Sequence, residues 1–274
     1  MSLKDKIIIA GLTDQGLVRG HNEDSIGNNL DLGIAVLADG MGGHKGGEVA
    51  SALAVDTILS SLGKALPNIT PGEIDETTGY SQESMAIESA IKEANQVIFK
   101  AAQGNVQYEG MGTTVVVLLF YDNRITVAHV GDSRLYRMRD TTMEQLTRDH
   151  TLLQELVDRG YYSKEEAQQS MNKNLVTRAV GVNPTVEVDL LEDVALPEDI
   201  YLLCSDGLSD MIDDGLISDT ILNYRNNLDK IAKELVNQAK QHGGKDNVSA
   251  LLAMPKKPFP ANSGWFSRIF DLFS

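Results

Sequence analysis

Two short apolar runs in this chain end in the same way. Gly33-Ile34-Ala35-Val36-Leu37-Ala38 stops at Asp39-Gly40, and Ile200-Tyr201-Leu202-Leu203-Cys204-Ser205 stops at Asp206-Gly207. Runs of this length and composition read as strands. A strand that stops on Asp-Gly puts a carboxylate at the rim of a sheet, where glycine lets the backbone turn sharply or approach a ligand closely. Asp24, Asp132 and Asp246 stand in similar places, beside glycines or turn residues at the ends of apolar runs. Carboxylates gathered at such rims repel one another unless cations lie between them. The pattern therefore predicts an all-oxygen site for a hard metal.

The rest of the chain supplies sheets and one-sided helices. Val115 to Tyr121 is a β-rich run, Asp122-Asn123 reads as a hairpin turn, and Arg124 to Val130 continues it. Leu135 to Met138 and Glu144 to Leu146 extend this into an expected antiparallel meander. Further strands are expected at 6–12, 25–30, 33–38, 186–191, 199–205 and 248–254. Val55, Ile58, Leu59 and Leu62 share a helical face, as do Ile87, Ala90, Ile91, Ala94 and Ile98, and Leu228, Ile231, Ala232, Leu235 and Ala239. Residues 67–82 read as a loop. Antiparallel strands with one-sided helices predict sheets covered by helices. No internal repeat or mid-chain linker divides the chain, so one domain is expected over about 1–254. Residues 255–264 read as a linker and 265–274 as a short amphipathic tail. In that tail Trp265, Phe266, Ile269, Phe270 and Phe273 recur at helical spacing. Docking on its own domain is the first reading, a partner groove the second and a membrane the weakest, because Arg268 is its sole basic residue.

Charge narrows the function. A formal net charge of -15 offers no basic stripe for a nucleic-acid backbone and would be partly offset by bound divalent cations. Cys204 is the single cysteine, which excludes an intrachain disulfide and any cysteine-cluster metal site. The apolar stretch Ile7-Ile8-Ile9 is too short for a signal peptide, and no run approaches the roughly 20 apolar residues of a membrane span. A cytoplasmic protein is expected.

Several catalytic designs fail on spacing. The glycine-rich segment 39–48 has Glu48 where a phosphate-binding loop needs lysine, and Lys45 where a dinucleotide loop needs glycine. Asp210 stands where a Cys-x5-Arg phosphatase needs arginine, and Asp-x-Asp does not occur. Asp132 is followed by Ser133-Arg134-Leu135 rather than by x-His-Gly, and Gly-x-Ser-x-Gly and His-Glu-x-x-His are absent. Cys204 reads as a strand residue beside the site. No two histidines are spaced i, i+4, and His129, flanked by apolar residues, reads as core. Arg19, close to Glu23 and Asp24, has the fork geometry to hold an anion beside a metal.

Taken in order, Arg19-x-x-Asn22-Glu23-Asp24, Asp39-Gly40-Met41-Gly42-Gly43, Gly112-Thr113-Thr114, Gly131-Asp132-Ser133-Arg134, Ser205-Asp206-Gly207 and Asp246-Asn247 resemble the metal-dependent serine/threonine protein phosphatase family (type 2C) in its bacterial form. The resemblance implies an α+β fold, a four-layer αββα sandwich of two antiparallel sheets flanked by helices. It implies a binuclear Mn2+ or Mg2+ centre with Asp39 bridging both ions, the Gly40 carbonyl on one of them, and Asp206 and Asp246 on the other. Glu23 and Asp24 would act largely through water, Asp132 would hold a third, weaker ion, and Arg19 would grip the phosphate. Residues 148–178 match the family's variable flap. The implied activity is hydrolysis of phosphoserine and phosphothreonine by metal-activated water, on phosphorylated proteins and opposite a bacterial serine/threonine kinase. A catalytically inactive binding module of the same fold is the alternative. Met41 departs from animal relatives, which carry histidine there as a proposed acid. The leaving-group acid is therefore unassigned, with a water on the metal preferred over His44.

Overall fold

The computed structural model describes residues 2–43, 45–163 and 175–261. In chain order the elements are β1 (Ile7–Asp14), β2 (Asp24–Asn29), β3 (Ile34–Met41), α1 (Gly46–Ala65), α2 (Gln82–Gly104), β4 (Gly112–Thr113), β5 (Val115–Tyr121), β6 (Arg124–Val130), β7 (Arg134–Arg139), β8 (Thr142–Gln145), α3 (Leu152–Asp158), β9 (Asp189–Val194), β10 (Ile200–Cys204), α4 (Asp206–Ser209), α5 (Asp214–Asn223), α6 (Leu228–Gln241) and β11 (Val248–Pro255). One antiparallel sheet runs β1-β11-β10-β7-β8. The other runs β2-β3-β5-β6-β9, with β4 paired to β3.

Side-chain alternation builds the layers. In β5, Val116, Leu118 and Phe120 point into a core shared with Leu135, Tyr201, Leu203 and Leu251 of the opposite sheet. Val115, Val117 and Leu119 point the other way, onto Ala54, Ile58, Ile87, Ile91 and Ile98 of α1 and α2. Leu202, Cys204, Ala250 and Leu252 likewise back onto Ile217, Ile231, Leu235 and Ala239 of α5 and α6. A strand buried on both faces has no polar face to show, which explains the unbroken apolar runs. Each fully buried side chain of this size contributes roughly 1.5–3 kcal/mol. The result is the four-layer αββα sandwich.

Local signals set the element ends. Asp122 and Asn123 both adopt positive φ (43° and 56°), the turn that a two-residue β5–β6 hairpin requires. Ser81 and Asn227 accept hydrogen bonds from the Ser84 and Lys230 amides and so start α2 and α6. The segment Gly46–Asn68 is long and apolar enough to cross a membrane by length and composition, which the sequence reading did not foresee. It behaves as a core helix: Ala50, Ala54, Val55, Ile58 and Leu62 pack into the layer between the second sheet and the helices.

Three expectations change. The 115–146 meander is broken, because β6 pairs with β5 and β9, whereas β7 pairs with β10 and β8. Gly131-Asp132-Ser133 is thus a crossover between sheets rather than a turn within one. Next, β3 does not stop at Asp39-Gly40 but continues to Met41. Third, α3, α4 and α5 fall where no helix was expected. Of the segment 255–264, Pro255 closes β11 and Phe259 is buried, its ring edge-on to Phe120 at 5.9 Å. The tail 265–274 and His44 lie outside the described residues.

Candidate metal centre

Strand register brings the acidic positions to one end of the sandwich. Asp24 at the start of β2 pairs with Asp39 near the end of β3, and β3 lies beside the start of β5. The end of β6 lies opposite the start of β5, so Asp132 follows at the same end. In the other sheet, Cys204 at the end of β10 faces both Arg134 and Ala250, which puts Asp206 and Asp246 nearby. The loop 15–23 then crosses from β1 to β2 over this end.

Two glycines allow the close approach, neither of them through positive φ. A Cβ at Gly40 would sit 2.0 Å from the Gly47 carbonyl oxygen, and one at Gly207 would sit 2.0 Å from the Asn247 oxygen. The first contact brings β3 against the start of α1. The second brings α4 against the loop that carries Asp246. Asn247 ties the other side: its amide donates to the Gln15 and His21 carbonyls (2.9 and 2.8 Å), and its Oδ1 accepts from the Glu23 amide (2.8 Å).

Each carboxylate is held differently. Asp24 Oδ2 accepts from Ser205 Oγ (2.8 Å) and Ser249 Oγ (2.6 Å), while its buried Oδ1 has no protein partner. The Asp39 amide donates to Thr114 Oγ1 (3.1 Å), and Thr114 Oγ1 also bonds Ser133 Oγ (2.7 Å), next to Asp132. Thr113 Oγ1 donates to the Asp39 carbonyl at 2.8 Å. Arg19 lies half exposed at the rim, its Nη2 2.6 Å from Asp246 Oδ2. Asp149 receives Arg134 in a fork, with Nε–Oδ1 at 3.1 Å and Nη2–Oδ2 at 2.7 Å.

Like charges directly opposite on paired strands are destabilising, and Asp24 and Asp39 are such a pair. Burial first, then Asp24, Asp206, Asp132 and Asp246, push the Asp39 carboxyl well above the usual carboxylate range. Burial, then Asp132 and Asp246, push Asp206 up to about 8. Burial raises Asp24 to about 6, against the two serine hydroxyls, and raises Asp132 to about 6 with help from Asp149. Glu23 is raised as well, by burial first. A site in which carboxylates strain toward protonation, and in which one buried oxygen lacks a donor, fits divalent cations. Its all-oxygen donors suit Mn2+ or Mg2+ rather than a soft metal.

Asp206 takes up its proton more readily folded than unfolded, so its contribution is fully present below the unfolded carboxylate pKa. It is lost as pH rises toward about 8. In chelator, Tm is expected to fall between pH 5 and pH 8 by roughly 4 °C or more, the shift that ~2 kcal/mol produces in a domain of this size. Calorimetry of Asp206→Asn should show a flatter profile. An equal slope in both chains would refute the cause.

The carboxylates Asp24, Asp39, Asp132, Asp206 and Asp246 and the arginine Arg19 all lie at this end, with Glu23 and Gly40 beside them. The sequence reading gave no role to Ser205, Ser249 or Thr114, which hold the acids in place. The signal available for Ser249 was a lone hydroxyl in the otherwise apolar Val248–Ala253 run. Cys204 is buried within β10 and its thiol is pushed up chiefly by burial, as suits an inert strand residue. His129 is buried as expected.

The sequence and fold have known counterparts. The protein phosphatase 2C family model matches residues 19–253. The serine/threonine phosphatase stp of Listeria welshimeri is 38% identical over 243 residues, covering 88% of this chain and 92% of that one. The crystal structure of the Mycobacterium tuberculosis serine/threonine phosphatase PstP/Ppp superposes with a TM-score of 0.79 at 36% identity, covering 92% of this chain and 99% of that one. The catalytic domain of PstP in complex with two manganese ions gives 0.77 at 35% identity, with 91% and 98% covered. The sandwich and its carboxylate cluster define a metal-dependent phosphatase. The chain belongs to the protein phosphatase 2C family.

Proposed function

We propose that this chain hydrolyses phosphoserine and phosphothreonine on proteins, with Asp39, Asp206 and Asp246 holding two divalent cations. The observation that carries this reading is the convergence of five buried or half-buried carboxylates, two of them a cross-strand pair, in which burial first and then neighbouring carboxylates push Asp24, Asp39, Asp132 and Asp206 above the usual carboxylate range. In this reading Asp39, the Gly40 carbonyl, Asp206 and Asp246 would hold the two ions. Glu23 and Asp24 act through water, and Asp132 takes a third ion. Bound Mn2+ or Mg2+ supplies an activated water as nucleophile and offsets charge on the phosphoryl oxygens.

The chain's own groups do the rest. Arg19 presents a planar fork at the rim, matched to two oxygens of a phosphate. Ser205 and Ser249 hold one oxygen of Asp24 and leave the other aimed inward. Met41 carries no proton to give, so it does not serve as the acid for the leaving serine or threonine oxygen, and a water would take that part. Intact carboxylates at every expected position argue against an inactive scaffold of the same fold.

The phosphatase domain is taken to span about 1–254, with 255–261 laid against it through Phe259. A serine/threonine kinase pathway is the natural counterpart, given relatives named serine/threonine phosphatases. A cytoplasmic setting fits a lone free cysteine. The test is release of phosphate from phosphothreonine and phosphoserine peptides. Activity is expected with manganese, to vanish in excess EDTA and to return on adding manganese back. Full activity in EDTA, or hydrolysis of p-nitrophenyl phosphate with no phosphopeptide turned over, would overturn the assignment.

A further inference from the structure

Beside the carboxylates lies a second polar cluster. His129, His150 and Asp189 place their ligand-type atoms within 4.8 Å of one another. A cation already serves this cluster: Arg178 Nη1 bonds Asp189 Oδ1 and lies 3.3 Å from His150 Nε2. His129 Nε2 is committed to the Arg148 carbonyl at 2.8 Å, and its ring stacks on His150 with centroids 4.6 Å apart. The cluster therefore reads as a hydrogen-bond relay rather than a metal site.

Every polar atom of His150 is used. Its amide donates to the Gly131 carbonyl (2.9 Å), and its Nδ1 accepts from the Gly131 amide (3.0 Å). A backbone N–H can only donate, so Nδ1 is the bare nitrogen and the ring proton sits on Nε2. That proton points to Asp189 Oδ2, 3.3 Å away. The His150 carbonyl accepts from the Thr177 amide (2.8 Å). Around it Leu152 bonds Leu175 (3.0 Å), and Thr151 bridges Val176. One residue thus joins both roots of the 148–178 region to Gly131, the residue before Asp132.

Gly131 needs such a clamp. Its φ of +108° is open to glycine, and a Cβ there would meet the Thr114 side chain at 2.6 Å. Thr114 grips one side of the crossover through Ser133, and His150 grips the other. We propose that His150 is a positioning residue for Asp132: through Gly131 it fixes the crossover backbone, and through Asp189 and Arg178 it ties that backbone to the flap root. This rests on the reading of Asp132 as the ligand of a third ion.

The test compares His150→Gln, His150→Asn and Asp132→Ala, and combines the first with the last. Asparagine can keep an acceptor near the Nδ1 position, whereas glutamine reaches only toward Asp189. In manganese, His150→Gln is expected to lower kcat by about 10–100-fold, the usual cost of losing a group that orients a metal ligand, with KM within about twofold. His150→Asn should recover most of that loss. In metal-free protein, hydrogen exchange of a peptide spanning residues 129–135 should speed up in the glutamine variant and slow again in the asparagine variant.

In the Asp132→Ala background the glutamine change should cost nothing further, because residues acting as a unit are not additive. Arg178→Met, at the partly exposed end of the relay, should fold in any case and lower kcat in the same direction by about tenfold, the lower end of that range. Wild-type kcat in both His150→Gln and Arg178→Met, or an additive loss on Asp132→Ala, would sink the proposal while leaving Asp132 its role. Normal kcat in Asp132→Ala alone would remove the third-ion reading and this proposal with it.

Discussion

Asp39→Asn is expected to abolish phosphatase activity while making the metal-free protein more stable. The substitution keeps the shape of the side chain and removes its charge. Asp39 faces Asp24 across β2 and β3 and is repelled as well by Asp206, Asp132 and Asp246. Without cations that charge is a pure cost, and with them it is the group the site is built around. Loss of turnover should reach roughly 10^3-fold or more, beyond the 10–100-fold typical of groups that merely orient a ligand. Relief of repulsion should raise Tm in EDTA by about 2–4 °C for each kcal/mol recovered. The two signs together distinguish a functional carboxylate from a structural one, since sites that hold strain for function commonly gain stability when disarmed. Paired assays of turnover in manganese and calorimetry in EDTA check both. A variant that lost activity and stability alike would mean that Asp39 supports the fold instead.

Gly40→Ala should be among the most damaging small changes in the chain. The new methyl would fall 2.0 Å from the Gly47 carbonyl oxygen, 2.4 Å from its carbon and 2.6 Å from the Glu23 oxygen. All three obstacles are backbone, so no rotamer relieves the clash. Either β3 or the start of α1 must move, and both frame Asp39. Overpacking of this kind costs about 1–3 kcal/mol and occasionally more, enough to lower Tm by roughly 5 °C or more. Manganese affinity should fall in step. Gly207→Ala makes the equivalent clash with Asn247 and should behave alike. Gly63→Ala is the control: it lies inside α1 with nothing within 4 Å of a new Cβ, so it should stabilise by up to about 1 kcal/mol. Wild-type Tm and turnover in Gly40→Ala would contradict the close-approach account.

These glycines also mark where the sequence stopped being legible. Asp39-Gly40 and Asp206-Gly207 advertised strand ends and a carboxylate rim, and both acids do lie at one end of the sandwich. Their glycines suggested turning or close approach alike, and only three-dimensional contact with Gly47 and Asn247 decides for approach. Periodicity found α1, α2 and α6 because each buries a long stripe. It missed α3 and α4, which are too short to show one, and α5, which over 10 residues buries only Ile217, Thr220 and Ile221. The crossover 131–133 looked like a turn within the meander because glycine and aspartate favour turns. Its true path depends on which sheet β7 joins, a non-local choice set by pairing with β10. Ser205 directly follows the apolar β10 run, Ser249 is a lone hydroxyl inside β11, and Thr114 follows Thr113 just ahead of β5. Nothing local distinguishes a serine that holds Asp24 from one that merely fits. His150 is similar: its role exists only because Gly131 and the 175–178 segment converge on it.

The account stands on paired divalent ions held among carboxylates that meet from separate strands. The direct measurement is an anomalous-difference map at the manganese edge, from crystals of the full chain grown with MnCl2. Two strong peaks are expected between Asp39, Asp206 and Asp246, and Asp39→Asn crystals should lose them. A map with no manganese among these three side chains, from protein that is active in the same buffer, would contradict the central claim.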